Sequence, residues 1–291
     1  MTPRSFEYFS PSSVRQCTSL LKRYGSRAKI LAGGMSLIPV MKLRLASPAY
    51  LIDINGISGL DSLRQSGGSL RIGAMTRHHE LETSRLVRRS APLLAETASW
   101  IGDPQVRNRG TIGGSLAHSD PSGDLGAALL ALRGEVRTKS ASKERVISAD
   151  DLFLDTFTSA LGGNELLVEV RVPVLKPKSG WSYQKLERKS GDFATVGVAT
   201  QISLDDGGNC VYAGIGLTAV GPTNVRARKA ESALVGRPLD ERTIVEAAEA
   251  ASGDASPTMD PLRGSIEYKR EMTKVFCRRG LTLALERAKR R

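Results

Sequence analysis

Apolar residues recur at two different spacings in the first part of the chain, and these spacings predict alternating helices and strands. Residues 14–24 place an apolar side chain every three or four positions behind Ser10-Pro11, which predicts a helix that ends near Gly25. Short apolar runs predict strands, and longer ones predict buried helices. The strands are expected at 29–32, 50–54, 69–75, 135–138 and 166–173, and the buried helices at 92–101 and 125–132.

The pattern changes after a polar segment at 176–180, whose proline and glycine make it the best candidate for a linker. Strand-like runs follow at 181–186, 194–204 and 210–220, and Asp206-Gly207-Gly208-Asn209 predicts a hairpin turn. Helical patterns follow at 225–235, 241–251 and 266–289. Strands followed by helices indicate an α+β domain. We therefore expect an α+β protein with domains at 1–177 and 178–291.

Two glycine-containing stretches have the residue types of an anion-binding site. The first, Gly33-Gly34-Met35-Ser36-Leu37, ends the strand-like run Ile30-Leu31-Ala32. The second spans 107–124 and is expected to be a loop; it contains Thr111-Ile112-Gly113-Gly114-Ser115, two arginines, and Asp124 just before a helix. Glycines let backbone N–H groups approach a ligand closely, and such groups can hold a diphosphate without a metal. Together the stretches predict one extended, phosphorylated cofactor.

Other phosphate-binding signatures are absent or out of context. No Gly-x-x-x-x-Gly-Lys-Ser/Thr motif occurs, which argues against a Walker-type nucleotide site. A Gly-x-Gly-x-x-Ala motif at 214–219 lies inside a strand-like run, and no helix begins where a dinucleotide site requires one. We interpret this motif as a glycine-bearing strand.

The charge balance of the 291 residues leaves several ligand classes open. Lys and Arg number 42 against 30 Asp and Glu, a net charge of +12 that suits nucleic acid, an acidic partner or an anionic cofactor. The basic residues are scattered, apart from a C-terminal excess that is typical of a solvated helix end. Aromatic residues are only 5% and form no stacking platform, so no nucleic-acid partner is expected.

The cysteines and histidines argue against a metal centre in this chain. Cys17, Cys210 and Cys277 are widely separated, which predicts neither a disulfide framework nor an iron–sulfur or zinc site. His78 and His79 are adjacent and therefore point to different sides, so we expect no metal ligands. No apolar run approaches the roughly twenty residues that cross a bilayer. A cytoplasmic location without a transmembrane segment is therefore expected.

The ordered set of motifs resembles a known family. The pairing of the first glycine stretch with Thr111-Ile112-Gly113-Gly114-Ser115, followed by His118-Ser119-Asp120-Pro121 and Asp124, is similar to the FAD-binding medium subunit of molybdenum hydroxylases. This is the family of xanthine dehydrogenase and aerobic carbon monoxide dehydrogenase. Further similar segments cover nearly the whole chain in order: 103–108, 165–167, 185–188 and 192–194.

The resemblance implies a two-lobed FAD-binding domain of the vanillyl-alcohol-oxidase type, with lobes at about 1–56 and 57–177, and a smaller C-terminal domain. It implies non-covalent FAD, because Met35 stands where relatives commonly have histidine or glutamine. It implies no catalytic side chain and no metal ligand. The implied cofactor contacts are Ile30, Leu31, Ala32, Gly33, Gly34, Met35, Ser36, Leu37, Ile101, Thr111, Ile112, Gly113, Gly114, Ser115, Asp124, Leu167, Lys185 and Phe193.

Two members of this set are implied to lie at the flavin end of the cofactor. Lys185 is the candidate positive group that stabilises reduced, anionic flavin. Phe193 stands where relatives often have tyrosine, and would pack on or beside the isoalloxazine.

The activity that the resemblance implies is electron transfer. A small subunit with two [2Fe–2S] clusters would deliver electrons to FAD, which would pass them to quinone, NAD or oxygen. A large subunit would carry the molybdenum cofactor, in a dimer of heterotrimers. Two alternatives stay open: a stand-alone FAD-dependent oxidase or dehydrogenase acting directly on a small molecule, and a non-enzymatic, basic nucleic-acid-binding protein.

Overall fold

The computed structural model describes residues 2–290. The first lobe is a parallel three-stranded sheet in the order β1-β3-β2 with two helices. The predicted first helix ends where expected, because Gly25 has a φ of 55° that glycine adopts without strain. The elements of this lobe are β1 (Glu7–Phe9), α1 (Val14–Tyr24), β2 (Ala28–Leu31), α2 (Leu37–Lys42) and β3 (Tyr50–Asp53).

The second lobe is built on a five-stranded antiparallel sheet in the order β4-β5-β10-β6-β7. Valines of its central strand are buried, whereas Arg171 and Glu169 of the same strand pair with each other on the opposite face at 2.6 Å. The strands are β4 (Leu63–Ser66), β5 (Ser69–Gly73), β6 (Glu135–Lys139), β7 (Glu144–Ser148) and β10 (Leu166–Pro173), with a separate ribbon of β8 (Phe153–Asp155) and β9 (Thr158–Ser159). The helices are α3 (His78–Thr83), α4 (Arg85–Ser90), α5 (Pro92–Ser99), α6 (Pro104–Arg109), α7 (Ile112–His118), α8 (Asp124–Ala131) and α9 (Ala149–Leu152).

The C-terminal part is an antiparallel sheet in the order β11-β12-β13-β14, with three helices. The predicted hairpin turn lies between β12 and β13, where Gly208 has a φ of 82°. The α+β class and the antiparallel C-terminal sheet are therefore confirmed. The elements are β11 (Ser179–Leu186), β12 (Val196–Leu204), β13 (Cys210–Thr218), β14 (Val225–Arg226), α10 (Arg228–Leu234), α11 (Glu241–Asp254) and α12 (Ile266–Lys289).

Helix α8 of the second lobe packs directly on strand β13 of the C-terminal sheet. A Cβ atom at Gly214 would collide with the carbonyl oxygen of Ala131, and one at Gly216 with that of Ala127. The Gly-x-Gly-x-x-Ala motif therefore lies in a strand, as predicted. Its glycines allow a helix backbone to lie close to the sheet.

The structure corrects two predicted element boundaries. The stretch 107–124 was expected to be a loop, but it contains α7, because Thr111 caps a new helix. The helix expected from residue 225 begins at Arg228, because Val225 and Arg226 pair with β13 instead.

One residue of the basic C-terminal end, Arg287, differs from the expectation of a solvated helix end, whereas Lys289 and Arg290 are exposed. Arg287 Nη1 contacts Glu96 Oε2 at 2.5 Å and donates to the Trp181 carbonyl at 2.8 Å. Its guanidinium lies 5.1 Å from the centre of the Trp181 ring. Arg287 therefore ties α12 to α5 of the second lobe. Among residues 2–290, no helix combines the length and apolar character that crossing a membrane requires.

Candidate functional site

The two glycine stretches meet where the two lobes face each other. A Cβ atom at Gly33 would overlap the carbonyl oxygen of Arg109 and lie 2.8 Å from Gly110 Cα. A Cβ atom at Gly114 would lie 3.5 Å from Ala32 Cβ. Distances this short require glycine at position 33. The structure therefore brings together the two stretches that the sequence singled out.

The first stretch presents a row of unpaired backbone donors. Within residues 2–290, the amides of Gly33 through Leu37 donate no hydrogen bond to the protein. Gly34 has a φ of 77°, which turns the chain between β2 and α2. Met35 and Ser36 are exposed, and the Ser36 side chain caps no amide. Several free amides and a hydroxyl in one turn fit a ligand with many anionic oxygens, such as a diphosphate.

A polar network that sequence reasoning missed supports this turn. Asn55 Nδ2 donates to the Ala32 carbonyl at 2.9 Å, and Arg77 Nη2 donates to Asn55 Oδ1 at 2.7 Å. Arg77 also donates to the Arg109 carbonyl, so the network joins both lobes. Asp53 Oδ1 binds Asn55 Nδ2 at 2.6 Å. The available signal was the position of Asp53 and Asn55 at the carboxyl end of a parallel strand, where ligands commonly bind.

Hydrogen bonding also sets the charge of Asp53. Burial raises the pKa of this carboxyl, but hydrogen bonds from Tyr8 and Asn55 outweigh burial and hold the pKa below its ordinary value. The Tyr8 hydroxyl donates to Asp53 Oδ2 at 2.7 Å. Asp53 is therefore an anion that orients Asn55 beneath the turn.

Backbone amides of the second stretch anchor it to the segment after β5. The Thr111 hydroxyl accepts from the Gly114 amide at 3.2 Å and begins α7. The amides of Ile112 and Gly113 donate to the carbonyls of Thr76 and Ala74, at 3.1 and 2.9 Å. Gly113 lies so close to Ala74 that a Cβ atom would approach Ala74 Cβ to 2.6 Å. Gly113 thus has a packing role whether or not it also contacts a cofactor, whereas Ser115 remains half-buried at the surface.

Asp124 and Lys185 form a buried ion pair. Lys185 Nζ lies 3.2 Å from Asp124 Oδ2, and their side chains are 1% and 7% exposed. The Tyr183 hydroxyl donates to Asp124 Oδ1 at 2.5 Å, and Lys185 also donates to the Trp100 carbonyl at 3.1 Å. Burial raises the pKa of Asp124, while Lys185 and Tyr183 act in the opposite direction. The pair fastens α8 to β11.

The remaining predicted residues lie in different environments. Ile101 is half-buried next to Trp100, and a Cβ atom at Gly191 would lie 3.0 Å from the Gly102 carbonyl oxygen. The loop that carries Phe193 therefore lies against the segment that carries Ile101. Phe193 is 50% exposed. Leu167 and Ile112 are buried together in the core of the second lobe. Ile30 and Leu31 are half-buried on β2, and Leu37 begins α2.

His78 is expected to make stability depend on pH. Its burial, with the positive charges of Arg77 and Arg107, lowers its pKa to about 4 from 6.5. Between these values the unfolded chain binds a proton that the folded chain does not. The free energy of unfolding should therefore fall by up to about 3 kcal/mol as pH drops from 6.5 to 4.

The measurement is a series of urea titrations across this pH range, with His78→Leu compared with the wild type. The variant should lose less stability than the wild type over the same interval. His79→Leu is the matched control, because the His79 side chain is 55% exposed. Parallel pH profiles for the wild type and His78→Leu would show that His78 does not cause the pH dependence of stability.

Among residues 2–290 no group of histidines, cysteines and carboxylates is arranged to hold a metal.

Comparison with known proteins identifies the family. Residues 4–175 match the model of the FAD binding domain in molybdopterin dehydrogenase. The chain belongs to this flavoprotein family. Residues 181–284 match a second model, the CO dehydrogenase flavoprotein C-terminal domain. The resemblance to FAD-binding medium subunits of molybdenum hydroxylases is thereby confirmed, and the flavoprotein is a subunit of an oxidoreductase.

Relatives of this flavoprotein share its full length. The carbon monoxide dehydrogenase medium chain of Hydrogenophaga pseudoflava is 43% identical over 99% of both chains. The 6-hydroxypseudooxynicotine dehydrogenase complex subunit alpha of Paenarthrobacter nicotinovorans is 40% identical over 99% of this chain and 97% of its own. A solved structure of carbon monoxide dehydrogenase from H. pseudoflava superposes with a TM-score of 0.96 at 44% identity, covering 99% of both chains. These relatives therefore span both the FAD-binding domain and the C-terminal domain.

Proposed function

We propose that this flavoprotein binds FAD without a covalent bond and passes electrons from the [2Fe–2S] clusters of a small subunit to an external acceptor. The molybdenum cofactor would lie on a large subunit, in a dimer of heterotrimers. The observation that carries the proposal is the row of free amides from Gly33 to Leu37, placed against Arg109 and Gly110 of the other lobe. When bound, FAD supplies the exchange between one-electron and two-electron transfer.

The residues of this chain would bind and orient the cofactor. The amides of the first stretch and the hydroxyl of Ser36 would bind the diphosphate, with Thr111 to Ser115 approaching it from the second lobe. Asn55 and Arg77 would keep the turn in place. Phe193 and Ile101 would lie on either side of the flavin end of the cofactor. Met35 has no nucleophile with which to attach a flavin. We also propose the domain division at 177 and 178 and a cytoplasmic location.

We propose that Lys185 raises the midpoint potential of the flavin and strengthens FAD binding. Its amine is held between Asp124 at 3.2 Å and Glu187 at 3.5 Å, so its charge offsets two carboxylates beside the flavin end. We expect Lys185→Ala to lower the flavin midpoint potential and weaken FAD binding, because the carboxylates would then repel the reduced, anionic flavin. Potentiometry and FAD titration measure both. Unchanged values of both quantities would remove this role.

We propose that the large subunit selects the substrate of the holoenzyme. Relatives named for carbon monoxide and for 6-hydroxypseudooxynicotine are 43% and 40% identical to this chain over nearly its full length. Two substrates this different at nearly equal identity indicate that the flavoprotein does not select the substrate. Carbon monoxide, aldehydes and N-heterocycles are all consistent with it.

The test is the visible absorption spectrum of the purified chain, alone and co-expressed with its genomic neighbours. We expect FAD bands alone from the single chain, and iron–sulfur absorbance only after co-purification. A colourless chain that takes up no FAD even beside its partners would overturn the proposal. FAD bands together with direct reduction of the single chain by a small-molecule substrate would favour the stand-alone oxidase or dehydrogenase.

A further inference from the structure

A groove of about 710 Å³ opens in the first lobe, between the end of β1 and one side of α1. This volume is within the range of about 300–1,000 Å³ that is usual for ligand sites. The α1 residues that line the groove recur at intervals of four, so they follow a single side of the helix. The lining includes Phe9, Pro11, Arg15, Ser19, Leu20 and Arg23.

The groove is positively charged. Arg15 and Arg23 line it, and none of the lining residues is acidic. Within residues 2–290 neither guanidinium pairs with a carboxylate, and Arg23 lies over the Tyr24 ring at 5.2 Å. Unpaired guanidinium groups form strong, charge-assisted hydrogen bonds with carboxylates. The groove therefore favours a ligand that brings negative charge.

Strand β1 leaves one edge of the first-lobe sheet open beside this groove. In the order β1-β3-β2, β1 pairs with β3 alone among the residues that the structure describes. The Glu7 amide donates to the Ala49 carbonyl at 2.9 Å, on the β3 side. Because the peptide groups of successive strand residues point to opposite edges, the N–H and C=O of Tyr8 point to the open edge. An open edge of this kind pairs with an extended polypeptide.

Exposed aromatic side chains on β1 also indicate a covered surface. Tyr8 is 55% exposed and Phe6 is 38% exposed. Aromatic residues are enriched at protein–protein interfaces. Since β1 is only three residues long, main-chain pairing is short, and side chains in the groove must supply much of the affinity.

The spacing of the two arginines defines the segment that fits. Arg15 and Arg23 are eight helical positions apart, which corresponds to about 12 Å along the helix axis. An extended chain rises about 3.3 Å per residue, so two carboxylates at this separation are about four residues apart. Residues i, i+2 and i+4 of a strand point to the same side. Half-buried Leu20 lies between the arginines and offers an apolar contact to the central residue.

We propose that the groove between β1 and α1 binds an extended segment of a partner subunit, with two carboxylates four residues apart and an apolar residue between them. The segment adds to the open edge at Tyr8, and its carboxylates pair with Arg15 and Arg23. The inference rests on the proposed function only because a partner subunit supplies the segment. Binding of a model peptide requires neither FAD nor a partner.

The first experiment titrates the full chain into a fluorescently labelled peptide, Ser-Glu-Thr-Val-Thr-Glu-Ser, and follows anisotropy. A peptide of the same composition with adjacent glutamates, Ser-Glu-Glu-Val-Thr-Thr-Ser, should bind about tenfold more weakly. Arg15→Glu with Arg23→Glu should raise the dissociation constant of the first peptide about tenfold or more. The matched control is Arg85→Glu with Arg89→Glu, which reverses two exposed arginines four positions apart on α4. No saturable binding, equal binding of both peptides, or equal loss in both variants overturns the proposal.

The second experiment compares amide hydrogen exchange of the FAD-loaded chain, alone and co-expressed with its genomic neighbours. Exchange of residues 6–11 should slow in the complex, because the open edge becomes paired. The variant of Arg15 and Arg23 should lose this protection but keep its FAD bands, and the α4 control should keep both. Unchanged exchange at 6–11 in the complex, or protection that survives the reversal of both arginines, overturns the proposal. A chain that binds the first peptide through these arginines but takes up no FAD would instead overturn the proposed function.

Discussion

Asp124→Asn is expected to lower the free energy of unfolding by about 3–5 kcal/mol, because it removes one partner of a buried ion pair. Lys185, 1% exposed, would keep Glu187 at 3.5 Å as its carboxylate partner and the Trp100 carbonyl at 3.1 Å as a neutral acceptor. The Tyr183 hydroxyl would lose a charged acceptor as well. Urea unfolding of the flavin-free chain measures the effect without a contribution from cofactor binding.

Two controls separate a buried pair from a general effect of charge removal. Asp206→Asn breaks the pair between Asp206, which is fully exposed, and Lys178, and should cost far less because solvent screens exposed charges. The double change Asp124→Asn with Lys185→Met removes both charges and should recover part of the lost stability. A loss for Asp124→Asn no larger than that for Asp206→Asn would show that the pair does not stabilise the fold.

Gly33→Ala is expected to raise the dissociation constant for FAD by about 10–100-fold, with the fold retained. A Cβ atom at this position overlaps the Arg109 carbonyl oxygen, so the turn must move away from the second lobe. Overpacking of this kind costs about 1–3 kcal/mol, and about 1.4 kcal/mol corresponds to a tenfold change in affinity. Fluorescence titration with FAD measures the change.

The matched control for this variant is Gly163→Ala. Gly163 has no positive φ, and a Cβ atom there meets nothing within 4 Å. FAD affinity should therefore stay at the wild-type value in the control. Wild-type affinity in Gly33→Ala would show that the close approach of the two stretches does not shape the cofactor site.

The glycines show how far local sequence carried the prediction of the site. Gly33 and Gly34 were assigned to a turn after a strand, and the structure places them there with their amides unpaired. Gly113 was assigned to the same chemistry, yet it lies against Ala74 and anchors α7. Both roles need the absence of a side chain. A single sequence therefore cannot distinguish close approach to a ligand from close approach to another segment.

The charged residues show which contacts local sequence could not predict. Lys185 was assigned to the flavin end, and its enclosure by Asp124, 61 positions away, had no local signal. Arg287 belongs to a basic segment whose composition predicted a solvated tail. It contacts Glu96 instead, 191 positions earlier. The support of the glycine turn by Asn55 and Arg77 likewise joins separate segments. Partners this distant depend on how the elements pack.

By itself, the sequence determined the α+β class, the positions of about half of the helices and strands, the two glycine stretches and the resemblance to the flavoprotein family. These features depend on apolar periodicity and on backbone freedom, which contiguous residues express. Only the tertiary structure decided that the two stretches meet and which charges neutralise each other. The physical reason is that contacts between remote segments form only when their elements pack, and the packing of a whole domain sets side-chain direction.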